Sequence, residues 1–154
     1  MRIALFACVS VCTGGVSAQV KSALEPVPKN ATVKHVNEFL GSLKGNVSFE
    51  TLELGNDLLL EMPGIAKAGL VKVRIASTVS NTDSMWLLSM SSELESASSL
   101  LAAVTLEHNA IPDVQLKLNL VNTQSLLLVV HADGKYYGVH REIKIGQLRS
   151  DVKE

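Results

Sequence analysis

Cysteine is nearly missing from this chain: of 154 residues only Cys8 and Cys12 carry a thiol, and both lie close to the start. Beyond Cys12 the sequence can form no disulfide framework, thiolate nucleophile or cysteine metal site. Aromatic residues make up only 4% of the chain while hydrophobic residues make up 47%, so the core must be aliphatic. Charge of one sign is also missing. A net charge of −1 argues against nucleic acid or an anionic membrane as the partner.

The motifs of catalysis are absent as well. No HExxH, GxSxG, GxGxxG or P-loop pattern occurs, and no carboxylate pair sits where one pKa would be raised. The many serines have no histidine and acid placed beside them. The four histidines are His35, His108, His131 and His140, and each is expected at the surface or rim. His131 and His140 fall about 13 Å apart in the strand register derived below, too far to share one ion. The expectation is a protein that is not an enzyme, with no catalytic residue, no cofactor and no metal.

What is present begins with Arg2, the apolar run Ile3 to Cys12 and the small-residue pattern Val16-Ser17-Ala18. This reads as a secretory signal over 1–18, too short for a membrane span, so no membrane association is expected after its removal. Leu5-Phe6-Ala7 before Cys8 also suggests a lipoprotein site, but the apolar run ahead of that cysteine is too brief. Cleavage after Ala18 would leave about 136 residues, enough for one domain with its own core. Residues 19–45 read as a leader containing Pro26 and Pro28, then an amphipathic helix. Val33, Val36, Phe39, Leu40 and Leu43 share its apolar face, Asn30 or Thr32 caps its start, and Gly45 ends it. Such a short helix is expected to fold onto its own domain rather than dock on a partner.

From residue 46 to 146 the pattern is β. Strands are expected within Asn46–Leu54, Asp57–Met62, Leu70–Val79, Ser84–Met90, Leu100–Glu107 and Val114–Val121, with a break at Pro63-Gly64 and a solvated connection over Ser89–Ser99. Trp86 is expected to pack in the core or at an edge. The most telling stretch is Asn122 to Gly146, where Asp133-Gly134 separates two β-rich runs and signals a type I′ hairpin. Counting outward from the turn pairs His131 with Tyr136, Val130 with Tyr137, Leu128 with Val139 and Leu127 with His140. One face collects Leu126, Leu128, Val130, Tyr137, Val139, Ile143 and Ile145 and is expected to be core. Arg141 falls on that same face, so either a bulge sits near it or its guanidinium reaches the rim. The other face carries Leu127 and Val129, read as an exposed aliphatic patch and candidate interface. Short strands at this spacing predict an all-β sandwich preceded by a short N-terminal helix.

The order Phe39-Leu40-Gly41 to Gly45, then Leu58 to Gly69, then Leu126 to Ile145 resembles the SoxY family, the periplasmic sulfur-carrier subunits of bacterial thiosulfate oxidation. Pro63 to Gly69 is similar to the family's Pro-x-Ile-Ala-x-x-Gly segment, and Lys117 to Gln124 to its arginine-lysine-threonine-glutamine stretch. The resemblance spans Phe39 to Gly146. It implies an immunoglobulin-like β-sandwich that pairs with a SoxZ-like chain and ends in a flexible Gly-Gly-Cys-Gly-Gly arm carrying sulfur on its cysteine. Here the arm-equivalent positions are Gly146, Gln147, Leu148, Arg149 and Ser150, and the tail 147–154 contains no cysteine. Without a thiolate no sulfur can be held there covalently. Two expectations follow. In one, a SoxY-like subunit without the carrier role acts through protein contact with a SoxZ-like chain or with itself. In the other, a noncovalent ligand module binds a small molecule between the Ser89–Ser99 and Asn109–Asp113 loops.

Overall fold

The computed structural model describes residues 33–91 and 99–146. The segments expected as signal and leader, the middle of the Ser89–Ser99 connection and the tail 147–154 lie outside them. Helix α1 (Val33–Ser42) is followed by a 3-10 turn (Phe49–Thr51) and nine strands: β1 (Glu53–Leu54), β2 (Leu58–Glu61), β3 (Ile65–Ala66), β4 (Gly69–Ser77), β5 (Thr82–Ser89), β6 (Leu100–Thr105), β7 (Asp113–Leu120), β8 (Gln124–Ala132) and β9 (Lys135–Ile145). The expected strand over Asn46–Leu54 is thus mostly a turn. Gly45 and Asn46 both take positive φ (103° and 51°), which reverses the chain at the end of α1 and leaves room only for the two-residue β1.

The expected hairpin forms. Asp133 and Gly134 have φ of 51° and 75°, the left-handed pair a type I′ turn requires. The register pairs Ala132 with Lys135, His131 with Tyr136, Leu128 with Val139 and Leu127 with His140, unbroken from Gln124 to Ala132. No bulge interrupts it at Arg141, whose side chain is exposed, so the guanidinium takes the rim.

Around this hairpin grows a sheet in the order β1-β9-β8-β5-β6, with β3 also on β9. β1 and β3 both run parallel to β9, an arrangement that alternation alone does not encode. A three-stranded sheet in the order β2-β4-β7 lies against it. Between the sheets are Leu58, Leu60, Val71, Val73, Ile75, Met85, Leu87, Leu126, Leu128 and Val130, an aliphatic core set by the period-two pattern of each strand. The fold is a β-sandwich with one short helix on its N-terminal side.

The helix makes a third layer. Val36 and Leu40 of α1, with Val47, Phe49 and Leu52 from the following turn, pack on Leu88, Met90, Leu127 and Val129 from the outer face of the larger sheet. The cover is held by polar anchors: the Phe49 N–H donates to Asn37 Oδ1 at 2.8 Å, and the Ser99 hydroxyl donates to the His35 carbonyl at 3.3 Å. Gly138 makes room for it. A Cβ there would lie 2.9 Å from Leu52 Cδ1, so the missing side chain is what lets the turn approach β9. Among the described residues no helix is long and apolar enough to cross a membrane.

Leu127→Ala tests the helix-covered face. With the side chain wholly buried, truncation should destabilise the fold by about 2–5 kcal/mol, read as a lower urea midpoint. A midpoint within experimental error of wild type would mean that α1 does not cover Leu127.

Candidate interaction surfaces

Leu127 and Val129 are not an interface. Both are 0% exposed, because the amphipathic face of α1 and the turn after it lie over them. The sequence showed an apolar helix and an apolar strand face but not that one covers the other. Beside them runs an aromatic row. Trp86 stacks on Tyr136 with centroids 6.3 Å apart, meets Phe39 edge-on at 6.4 Å, and Tyr136 in turn lies 4.7 Å from the His131 ring. Trp86 therefore packs under the helix rather than offering a ligand platform.

The histidines separate as expected but sit differently. His131 Nδ1 is 2.8 Å from Asp83, and His35 Nδ1 is 3.2 Å from Glu38 Oε2. His140 is half-buried at the rim, with its ring nitrogens closed off from solvent and its ring centroid 6.2 Å from that of Phe49. Among the described residues no three His, Cys, Asp or Glu side chains gather as metal ligands would.

Of the two segments expected to flank a ligand site, Ser89–Ser99 and Asn109–Asp113, residues 92–98 of the first lie outside the described residues. The first segment leads into β6 and the second follows its far end, so about 20 Å of strand separates them. The Asn109–Asp113 loop instead joins the β4–β5 turn in a cavity of about 440 Å³ lined by Asn81, Asp83, Glu107 and His108.

The outer face of the three-stranded sheet carries charge that the sequence analysis left unassigned. Arg74 donates to both oxygens of Asp113, Nε at 2.9 Å and Nη2 at 2.6 Å, and Nη1 reaches Glu61 at 3.5 Å. This forked hydrogen bond holds the Asp113 carboxyl below its usual range and keeps the guanidinium still more firmly protonated. Next to it Lys72 stands directly opposite Lys117. Glu61, Lys72, Arg74 and Lys117 border a depression of about 810 Å³ that Met62 and Pro63 help to line. The signal that could have found this face was present: Lys72 and Arg74 alternate with valines in β4, as Gln115 and Lys117 alternate with leucines in β7. Only the register brings them together.

Two features mark the sandwich's open side. β7 has one hydrogen-bonded neighbour, β4, so its other edge is free among the described residues. Val114, Leu116 and Leu118 point inward from it yet remain half-exposed. Just beyond its ends stand Ile111 and Val121, 81% and 61% exposed. At the root of the tail, the Gly146 N–H donates to the Ala66 carbonyl at 3.0 Å, which ties the end of β9 to β3. Of the arm-equivalent positions only Gly146 is described; Gln147, Leu148, Arg149 and Ser150 lie outside the described residues.

No family model and no curated protein sequence matches this chain. Solved structures do. The sulfur carrier protein SoxY from Chlorobium limicola f thiosulfatophilum superposes with a TM-score of 0.63 at 21% identity, over 72% of this chain and 91% of that one. The superoxide reductase (neelaredoxin) from Ignicoccus hospitalis superposes with a TM-score of 0.57 at 19% identity, over 65% of this chain and all of that one. A hypothetical protein from Pyrococcus horikoshii reaches 0.51 at 12% identity, over 62% of this chain and 97% of that one. At these identities the likeness is one of fold, and a SoxY-like fold is what this chain has.

Because Asp113 has a lower pKa folded than unfolded, its pair with Arg74 stabilises the fold at neutral pH, and that contribution is lost as pH falls through the lowered value. In Arg74→Gln the Asp113 carboxyl should return to the ordinary carboxylate range, followed by carboxyl-carbon NMR. Wild-type Asp113 already titrating at an ordinary value would contradict the geometry.

Proposed function

We propose that this protein is a non-catalytic SoxY-like subunit associated with periplasmic sulfur-compound oxidation, one that acts through protein contact without a carrier cysteine. The observation that carries this reading is the superposition on SoxY over most of both chains, joined to a sequence that contains no cysteine after Cys12. A thiolate is the only side chain here that could take sulfur covalently, and the tail that follows Gly146 offers serine instead. What remains for such a domain is binding, with a SoxZ-like chain or a second copy as partner. The likeness to superoxide reductases supports no redox role by itself, since one sandwich hosts unrelated chemistries. The second reading, a noncovalent binding module for a small periplasmic ligand, draws on the cavity beside Asp83 and His108, whose size lies in the range of small-molecule sites.

Residues 19–154, incubated with polysulfide and examined by intact mass, should gain no sulfur. Mixed with a SoxZ-like chain, they should give a complex of equal stoichiometry by light scattering. Added sulfur mass would overturn the non-carrier role, and a mixture that stays as two separate species would count against SoxZ-like pairing.

A further inference from the structure

The open edge of β7 is nearly self-complementary. A strand that pairs antiparallel with its own copy about a two-fold axis must oppose residues of the same parity, or one chain's inward side chains meet the other's outward ones. Two registers satisfy this while pairing seven of the eight residues of β7, one centred on Leu116 and one on Lys117. Centring on Lys117 sets that lysine against itself, directly opposite and already facing Lys72. Centring on Leu116 sets Leu116 on Leu116 and Val114 on Leu118 along the inner face. Along the outer face it sets Gln115 on Lys117 and Asp113 on Asn119. Each pair matches in kind, and no like charges stand directly opposite.

The flanks agree independently. The same rotation that centres on Leu116 carries Ile111 of one chain to the end where Val121 of the other lies, bringing together two of the most exposed large hydrophobic side chains among the described residues. It also covers the half-exposed inward leucines, whose incomplete burial comes from β7 having a neighbour on one side only.

We propose that the protein forms a two-fold dimer through antiparallel β7–β7 pairing centred on Leu116, which joins the two three-stranded sheets into one continuous sheet. The occupant of the edge is a second copy of this chain. The proposal rests on the binding reading above, but it concerns a contact between like chains and is tested without any other partner.

The experiment is sedimentation equilibrium on the purified protein and on two variants at an exposed position, Gln115→Glu and Gln115→Lys. The wild type should be dimeric. Gln115→Glu places a carboxylate opposite Lys117 twice by symmetry and should tighten the dimer severalfold, whereas Gln115→Lys should weaken it about tenfold or more. The double variant Ile111→Cys/Val121→Cys should cross-link between chains under mild oxidation, and neither single variant should do so through the same pair. Circular dichroism of each variant checks that the fold is intact. A wild-type protein that stays monomeric at about 1 mM overturns the proposal. So does a dimer that Gln115→Glu weakens, because Lys117 then does not stand opposite Gln115. A monomer that still binds a SoxZ-like chain overturns this inference and leaves the binding reading in place.

Discussion

Everything else in the structure is arranged around β8, a strand buried on both faces. Leu126 through Val130 are all closed to solvent. Even residues of that run face the second sheet and odd ones face α1 and the turn that follows it. A strand with two apolar faces in an antiparallel sandwich needs a layer on each side, since leaving one bare would expose a continuous aliphatic stripe. The helix, the 3-10 turn, the vacancy at Gly138 and the Asn37 and Ser99 anchors all serve to close that second face.

With the outer face of the larger sheet covered, the charged outer face of the smaller sheet and the free edge of β7 stay open among the described residues. The two are continuous, because Lys117 and Gln115 belong to both. The fold is SoxY-like, and the sequence contains no cysteine after Cys12.

Much of the architecture was legible in the sequence because it is written in local chemistry. Asp133-Gly134 set the turn, the turn set the hairpin register pair by pair, and period-two alternation set the inward face of β4, β7 and β9. The apolar face of α1 was equally plain. Its destination was not, because amphipathicity says that a face must be buried without saying against what. For that reason Leu127 and Val129 read as an interface when they are interior. Long-range register was the other blind spot. Arg74 with Asp113, Lys72 with Lys117, and the parallel attachment of β1 and β3 to β9 all depend on which strands become neighbours, and single-strand patterns do not carry that.

Native-state hydrogen exchange, resolved residue by residue, tests the central claim most directly. If β8 is sealed between two layers, the amides of Leu126 to Val130 exchange only through global unfolding, while α1 opens at a lower free energy. Amides of β8 that exchange as fast as the edge strands would mean that the helix does not close the second face, and the account built on that closure would fail.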